Sequence, residues 1–337
     1  MGSYNLNKYF GCFLVSICLT VQGTNAALFY DGEIKNAVVN PGKRIQPTAS
    51  ERFYVGEAPM EPEEISVLLT MMYDVGIEAL LKQDYQVAYQ TLVGAAEWGY
   101  TKAQTALAGM YLQGQGVMID YAEAANWFHQ AAEQGNSDAQ VGLALMYAQG
   151  QGVQQNDEAA LRWLRQAADQ ENVTAQKNLG VIYQEGRGVE ANEHEAMAWF
   201  RLAALQEDAS AQNSLAMGFM DGHGLEVDDI EAAWWFRKAA ELGNQDAQIN
   251  LALMYRNGRG ISPDDVAAVQ WFRRAAEQGN KFAQYYLGIS YLEGLGVLPD
   301  ADEAKSWLTK SAQQGLVEAQ EYLMASATVD GMAWGIR

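Results

Sequence analysis

Three histidines are the side chains of this sequence best suited to ligate a metal. His129, His194 and His223 fall at three unrelated points, and no two of them have the spacing that places both rings on one face of a helix. His194 is followed by Glu195, but no second histidine stands four residues after the first. We therefore expect no metal site and interpret the three rings as solvated side chains.

Signatures of nucleophilic or phosphate chemistry do not stand out either. The sequence contains neither Ser-x-x-Lys nor Gly-x-Ser-x-Gly, the two common settings of a serine nucleophile. Its Gly-x-Gly pairs recur six times without a preceding strand, so a phosphate cradle is a poor interpretation. Carboxylate pairs such as Asp228/Asp229 and Asp264/Asp265 stand where helices begin, which already explains one member of each pair. We predict a protein that is not an enzyme and needs no cofactor.

The elements that carry these residues repeat every 36 residues without an insertion. Each copy places Ala-Gln, Leu, an aromatic residue, Gly-x-Gly and Trp at fixed offsets, as in Ala247/Gln248, Leu251, Tyr255, Gly258/Gly260 and Trp271. A fixed period of this length is typical of repeat architectures. The six copies begin at Thr101, Ser137, Val173, Ala209, Gln245 and Lys281.

Each copy is expected to contain two helices. Ala103, Leu107 and Tyr111 step by four residues and share one helical face. Gly-x-Gly then closes the first helix, since glycine adopts positive φ. The second helix begins at Asp or Asn in every copy. The alanine pairs of this helix permit close packing, and its tryptophan is expected to fill the space between neighbouring hairpins. So short a hairpin is stable only when it stacks on the next copy.

The segments that flank the six repeats are less regular. We predict a signal peptide at 1–26, a proline-containing leader or linker at 27–62, a degenerate N-terminal capping repeat at 63–100, the repeats at 101–316 and a C-terminal capping helix at 317–337. The apolar run from Tyr9 to Val21 is too short to span a bilayer comfortably, although an uncleaved N-terminal anchor remains the alternative.

Cysteine content and charge restrict the function further. Both cysteines, Cys12 and Cys18, lie in the predicted signal peptide, so the mature chain would have no thiol for a disulfide, a zinc site or catalysis. The formal net charge is −20, which disfavours binding to nucleic acid and to anionic lipid. We expect a monomer in the periplasm or outside the cell, without membrane insertion once the signal is cleaved, and with a protein or peptide as its partner.

The repeat unit A-Q-x2-L-A/G-x2-Y-x2-G-x-G-V followed by D-x2-E-A-x2-W-F-x2-A-A-x-Q-G-N resembles the Sel-one-like repeat (SLR) family, a relative of tetratricopeptide repeats. The resemblance implies an all-α fold, a right-handed α/α superhelical solenoid of helix-turn-helix repeats that serves as a protein-interaction or assembly scaffold. Glu171 and Glu207 depart from it because they replace the glycine of the turn between repeats. Some exported relatives have been linked to β-lactam binding, but this chain lacks their disulfides.

The binding residues are expected on the side of the first helix that faces away from Ala103, Leu107 and Tyr111. In such a solenoid the first helices line the concave surface, where side chains vary from copy to copy. Apolar residues together with Tyr and Arg are typical of binding hot spots. The predicted partner-binding residues are Lys177, Asn213, Ile249, Tyr285, Gln184, Met220, Arg256 and Leu292.

The sequence therefore predicts an exported, non-catalytic scaffold or adaptor that binds its partner on the concave face of the solenoid. Two alternatives remain open. One is an envelope enzyme that acts on the cell wall or on β-lactams, and the other is a structural spacer without a dedicated ligand.

Overall fold

A computed structural model describes residues 17–21, 24–30, 53–55, 58–59 and 61–328 of the 337-residue chain. Four short strands come first: β1 (Ile17–Val21), β2 (Thr24–Tyr30), β3 (Phe53–Val55) and β4 (Ala58–Pro59). They pair antiparallel in the order β1-β2-β3-β4, with Leu19 opposite Ala26 and Tyr54 opposite Pro59. The sequence did not predict these strands. The rest of the predicted signal peptide and leader lies outside the described residues.

From residue 62 onward the described chain is helical. Residues 62–97 form a hairpin of two helices, six further hairpins follow it, and α15 comes last. The helices are α1 (Pro62–Leu81), α2 (Tyr85–Glu97), α3 (Thr101–Gln113), α4 (Tyr121–Glu133), α5 (Ser137–Gln149), α6 (Asp157–Ala168), α7 (Val173–Glu185), α8 (Glu193–Leu205), α9 (Ala209–Asp221), α10 (Asp229–Glu241), α11 (Gln245–Asn257), α12 (Asp265–Glu277), α13 (Lys281–Glu293), α14 (Ala301–Gln313) and α15 (Val317–Thr328).

The chain divides into two compact units, residues 1–167 and 168–337. Among the helices that the structure describes, none combines the length and the apolar character needed to cross a membrane.

The turn within each hairpin follows the chemistry that the sequence predicts. Gly222 ends α9 in the left-handed conformation with φ of 77°. Asp228 then caps α10, because its side chain accepts hydrogen bonds from the backbone N–H groups of Ile230 and Glu231, both at 3.0 Å. The backbone N–H of Asp228 also donates to the carbonyl oxygen of Phe219 at 2.9 Å. These bonds satisfy two backbone N–H groups at the start of α10 and one carbonyl group near the end of α9, and they join the two ends of the loop.

In several Gly-x-Gly pairs the second glycine has a separate role between consecutive hairpins. A Cβ added at Gly260 would overlap the carbonyl oxygen of Asp229, the first residue of the second helix in the preceding hairpin. Gly296 approaches Asp265 in the same way. Only a residue without a side chain permits this contact between backbones.

The core of the first unit begins at the α1–α2 hairpin. Leu69 of α1 and Leu92 of α2 cluster with Leu107 of α3. A neighbouring cluster joins Phe128 of α4 to Leu143 of α5. The predicted faces of the first and second helices therefore meet in the interior, and consecutive hairpins of this unit stack as in a solenoid.

In the second unit the largest fully buried rings are phenylalanines, and each directly follows the tryptophan that recurs in the second helix of every repeat. Phe200, Phe236 and Phe272 are at most 1% exposed. Trp199 and Trp271 are only partly buried, and Trp235 is 8% exposed. Trp127 and Trp271 each pack against two neighbouring clusters, as expected of a ring between hairpins. The fully buried ring, however, is the phenylalanine, which lies about 100° further round the helix.

The turns between consecutive hairpins keep one geometry despite a change of residue. Gly243, Gly279 and Gly315 have φ between 80° and 93° at this point, and Glu171 and Glu207 reach 62° and 64° at the equivalent positions. The replacement of glycine by glutamate at these two turns therefore leaves the backbone in the left-handed region. A residue with a Cβ is strained there.

Candidate binding groove

The second unit contains a groove of about 390 Å³ along the first helices α9, α11 and α13. We call this feature the α9–α11–α13 groove. Met217 and Met220 come from α9, Ile249 and Leu253 from α11, and the rings of Phe282 and Tyr286 from α13. Because the same helical face of three successive hairpins contributes, the stacking of the repeats builds the groove.

The apolar lining is accessible as well as continuous. Ile249 is only 8% exposed and belongs to the core, whereas Met217 and Phe282 are 36% and 47% exposed. Exposed apolar side chains gathered in a concavity are typical of binding sites, while scattered ones are ordinary surface.

Three polar side chains complete the lining: Asn213, Asp246 and Asn250. The Oδ1 atom of Asn213 is buried and has no hydrogen-bond partner. Nδ2 of Asn250 lies 3.6 Å from the sulfur of Met217. Asp246 is exposed, and within the part of the chain that the structure describes it takes part in no ion pair. The acceptor that the groove offers to a partner is therefore the exposed carboxylate of Asp246, because Oδ1 of Asn213 is not accessible from the surface.

Of the eight predicted partner-binding residues, Asn213, Met220 and Ile249 come together in the groove. Lys177 lies elsewhere and is engaged: its Nζ is 2.9 Å from Oδ2 of Asp208. Asp208 in turn caps α9 by accepting from the backbone N–H of Ala211 at 2.8 Å. Gln184 is exposed near the end of α7.

Arg256 is largely engaged within the fold. Its Nη2 donates to Oγ of Ser290 at 2.6 Å, and its guanidinium carbon is 4.9 Å from the centre of the Phe272 ring. Burial lowers the pKa of Arg256, and the carboxylates of Asp265 and Glu293 oppose that shift. A half-buried guanidinium stacked on a core ring stabilises the packing of the second unit, and this is its main visible contribution.

Tyr285 and Leu292 belong to the last apolar cluster of the chain. Both pack against the cluster of Leu308, Leu316 and Ala319. Burial raises the pKa of the Tyr285 hydroxyl, and the neighbouring Tyr286 adds to the effect. These two predicted binding residues therefore help to seat α14 and α15.

Each of the three histidines contacts another residue of the protein. Nδ1 of His223 is 3.1 Å from Oε1 of Glu193, and Nδ1 of His194 is 3.2 Å from the carbonyl oxygen of Gly224. His129 lies in the first unit, 3.8 Å from Glu133. Over the residues with described side chains, no group of three or more His, Cys, Asp or Glu is arranged to hold a metal ion.

Comparison with known families explains the repeated geometry. The Sel1 repeat model matches six consecutive segments, 101–136, 137–172, 173–208, 209–244, 245–280 and 281–316. The chain belongs to the Sel1-repeat family. The predicted family and the predicted all-α solenoid class are both confirmed.

Two solved structures show the same Sel1-repeat architecture. One is c5321, a protective antigen present in uropathogenic Escherichia coli strains and displaying an SLR fold; it is 33% identical over 81% of this chain, with a TM-score of 0.73. The other is a Sel1 repeat protein from Oxalobacter formigenes, 32% identical over 72% of this chain and 99% of its own, with a TM-score of 0.67. This chain spans 59% of c5321. No curated protein matches the chain.

Sel1-repeat proteins are generally non-catalytic scaffolds for protein interaction. The groove also contains residues that are not among the eight predicted ones: Met217, Asp246, Asn250, Leu253, Phe282 and Tyr286. They occupy positions 2, 6 and 9 of their first helices. Positions 2, 6 and 9 step by four and three residues, the usual spacing of one helical face, so this spacing could have revealed them.

Proposed function

We propose that this Sel1-repeat chain is an exported, non-catalytic scaffold that binds a protein or peptide partner through its first helices. The binding site is the α9–α11–α13 groove. The observation that carries the proposal is the combination of accessible apolar side chains, such as Met217 and Phe282, with the exposed carboxylate of Asp246 in one concavity. A partner that fills the groove would bury these apolar side chains.

Rigid stacking supports the mechanism. Each first helix is anchored by fully buried residues, such as Leu215 in α9 and Leu251 in α11. The variable side chains on the opposite face are therefore held at fixed spacing before the partner arrives. A preorganised surface loses little conformational entropy on binding, which favours affinity for a short segment.

Site-specific photo-crosslinking tests the proposed surface. A photoreactive amino acid is placed at Met217 in the groove and, as a control, at Gln270, which is exposed on the second helix α12. In cells that naturally produce the protein, irradiation should give discrete adducts from position 217 and not from position 270. Adducts of the same size from both positions, or none from position 217, would argue against binding through the first helices.

Export is a separate part of the proposal. It is supported by the apolar run Tyr9–Val21 followed by the small residues that lead to Ala26. N-terminal sequencing of the protein recovered from periplasm and culture medium should show a chain that begins at Ala27. A chain that retains its first residues would instead indicate an uncleaved anchor or no export.

A further inference from the structure

We propose that the occupant of the α9–α11–α13 groove is a peptide segment that carries a lysine or arginine next to an aliphatic residue. In this arrangement the cationic group pairs with Asp246 while the aliphatic side chain packs on Met217 and Leu253. The inference rests on the proposed function and specifies the chemistry of its partner.

The apolar part of the groove accommodates a side chain of the partner. The whole groove has a volume of about 390 Å³, which lies within the range of roughly 300–1,000 Å³ typical of ligand sites. Met217, Met220 and Leu253 are flexible or branched aliphatic groups, and methionines adapt their shape to the surface that they contact. These side chains suit an aliphatic residue.

The charge of the groove selects a cation. Asp246 is the charged residue of the lining, and no described cation is paired with it. The face of the Phe282 ring, in the same lining, is already taken by the ammonium group of Lys281 at 5.2 Å from its centre, so the cation of the partner pairs with Asp246 and not with this ring. The formal net charge of −20 on the whole chain also attracts a basic partner and repels an acidic one.

A peptide, rather than a small cation, meets both features of the groove. A polypeptide carries a basic and an aliphatic side chain at adjacent residues, so one segment can pair with Asp246 while it packs on Met217 and Leu253. A small cation would leave the apolar lining uncovered.

Fluorescence anisotropy with three labelled peptides of roughly a dozen residues, enough to cross three helices, tests the inference. The first repeats Lys-Leu-Gly-Ser, the second Glu-Leu-Gly-Ser and the third Lys-Ser-Gly-Ser. The full-length protein should bind the first at least about tenfold more tightly than either of the others, because only it carries both features.

Matched variants assign the binding to the groove. Asp246→Asn should weaken binding of the Lys-Leu peptide about three- to fivefold, the size of an exposed ion pair. Asp138→Asn removes the same charge from the same position of α5, in the first unit, and should change binding less than about twofold. Leu253→Ser should weaken binding of the Lys-Leu peptide and reduce its advantage over the Lys-Ser peptide.

Equal affinity for the three peptides, no binding of any of them, or equal effects of Asp246→Asn and Asp138→Asn would each overturn this inference. None of these results bears on adducts formed at position 217. If cross-linking from the groove persists while the Lys-Leu peptide fails, the scaffold function stands and the chemistry assigned to its partner is wrong. If both fail, the groove is not a binding site.

Discussion

The side-chain Nε2 of Gln278 donates to the buried Oε1 of Gln248 at 2.9 Å, 30 residues earlier in the chain. Gln248 in turn donates to the carbonyl oxygen of Ala240 at 3.1 Å, in the preceding second helix. One amide pair therefore ties the first helix of a repeat to the ends of the second helices on both sides of it. Equivalent bonds between the two amides join Gln104 with Gln134, Gln176 with Gln206, and Gln284 with Gln314.

Leu242 interrupts this series, and we predict that Leu242→Gln stabilises the protein. Leu242 stands 36 residues before Gln278, at the equivalent position of the preceding repeat. Gln212 stands in the same way 36 residues before Gln248, and its Oε1 is buried without a partner. Since Leu242 is 51% exposed, its removal costs little burial. A new amide donor should raise the free energy of unfolding by about 1 kcal/mol, as measured by chemical denaturation.

Leu205→Gln is the control for this change, because Leu205 is an exposed leucine at the end of α8 and not at the glutamine position. It should leave the free energy of unfolding within about 0.5 kcal/mol of wild type. The reverse change Gln278→Leu should destabilise the protein by about 1–3 kcal/mol, because it strands Oε1 of Gln248. If Leu242→Gln and Leu205→Gln have the same effect, the amide pairs do not contribute as described.

The sequence predicted the repeat fold because the same residues recur at fixed offsets, and their local roles do not depend on tertiary detail. The capping oxygens of Asp228 and Asp264 and the positive φ of Gly222 are consequences of residue type. The choice of Phe200 rather than Trp199 for the core depends on helical rotation and packing, which the offsets alone do not determine. The strands β1–β4 carry no repeated pattern to reveal them.

Glu207→Gly should stabilise the protein because Glu207 holds a φ of 64° in a turn where most of the other repeats use glycine. Relief of the strain, partly offset by the greater flexibility of glycine in the unfolded chain, should raise the free energy of unfolding by about 0.5–1 kcal/mol. Glu207→Ala keeps the Cβ and is the control. An equal gain from Glu207→Ala would attribute the effect to the carboxylate and not to the backbone.

Gly260→Ala should be far more damaging than Gly243→Ala, although both glycines have positive φ. At Gly243 an added Cβ meets nothing within 4 Å, so only the backbone strain of about 1 kcal/mol applies. At Gly260 the Cβ would overlap the carbonyl oxygen of Asp229, which adds about 1–3 kcal/mol of overpacking. Thermal unfolding of the two variants side by side measures the difference, and similar melting temperatures would contradict it.

Phe200→Ala should cost more stability than Trp199→Ala, although tryptophan is the larger residue. Phe200 is 1% exposed in the core of the second unit, so truncation should cost about 3–5 kcal/mol. Trp199 is partly exposed, and its Nε1 is buried without a partner, so its removal loses less. Urea denaturation of both variants gives the order, and a larger loss for Trp199→Ala would restore the tryptophan as the main core ring.

Arg256→Ala should lower the free energy of unfolding by about 1–2 kcal/mol, because it removes the contact with Phe272 and the hydrogen bond to Ser290. Gln184→Ala changes the equivalent position of α7, where the side chain is exposed, and should have an effect below about 0.5 kcal/mol. Calorimetry distinguishes the two. If both variants are as stable as wild type, Arg256 does not stabilise the fold, and its predicted role in partner binding is favoured instead.

The candidate site was only partly predictable for a related reason. Reasoning from one helix identified the outward face and with it Asn213, Met220 and Ile249. The groove, however, is formed by three helices together, and the contributions of Phe282 and Tyr286 depend on how each first helix is rotated against its neighbour. Tyr285, adjacent to Tyr286, turns instead toward the last apolar cluster.

The constant length of the repeats has a genetic consequence. All six matched segments contain the same number of residues, and each ends at a turn of the same backbone geometry. Recombination between two copies within the coding sequence would remove or add whole repeats in frame, and each new junction would keep the backbone geometry of the existing ones. The number of displayed side chains can therefore change in a single genetic event.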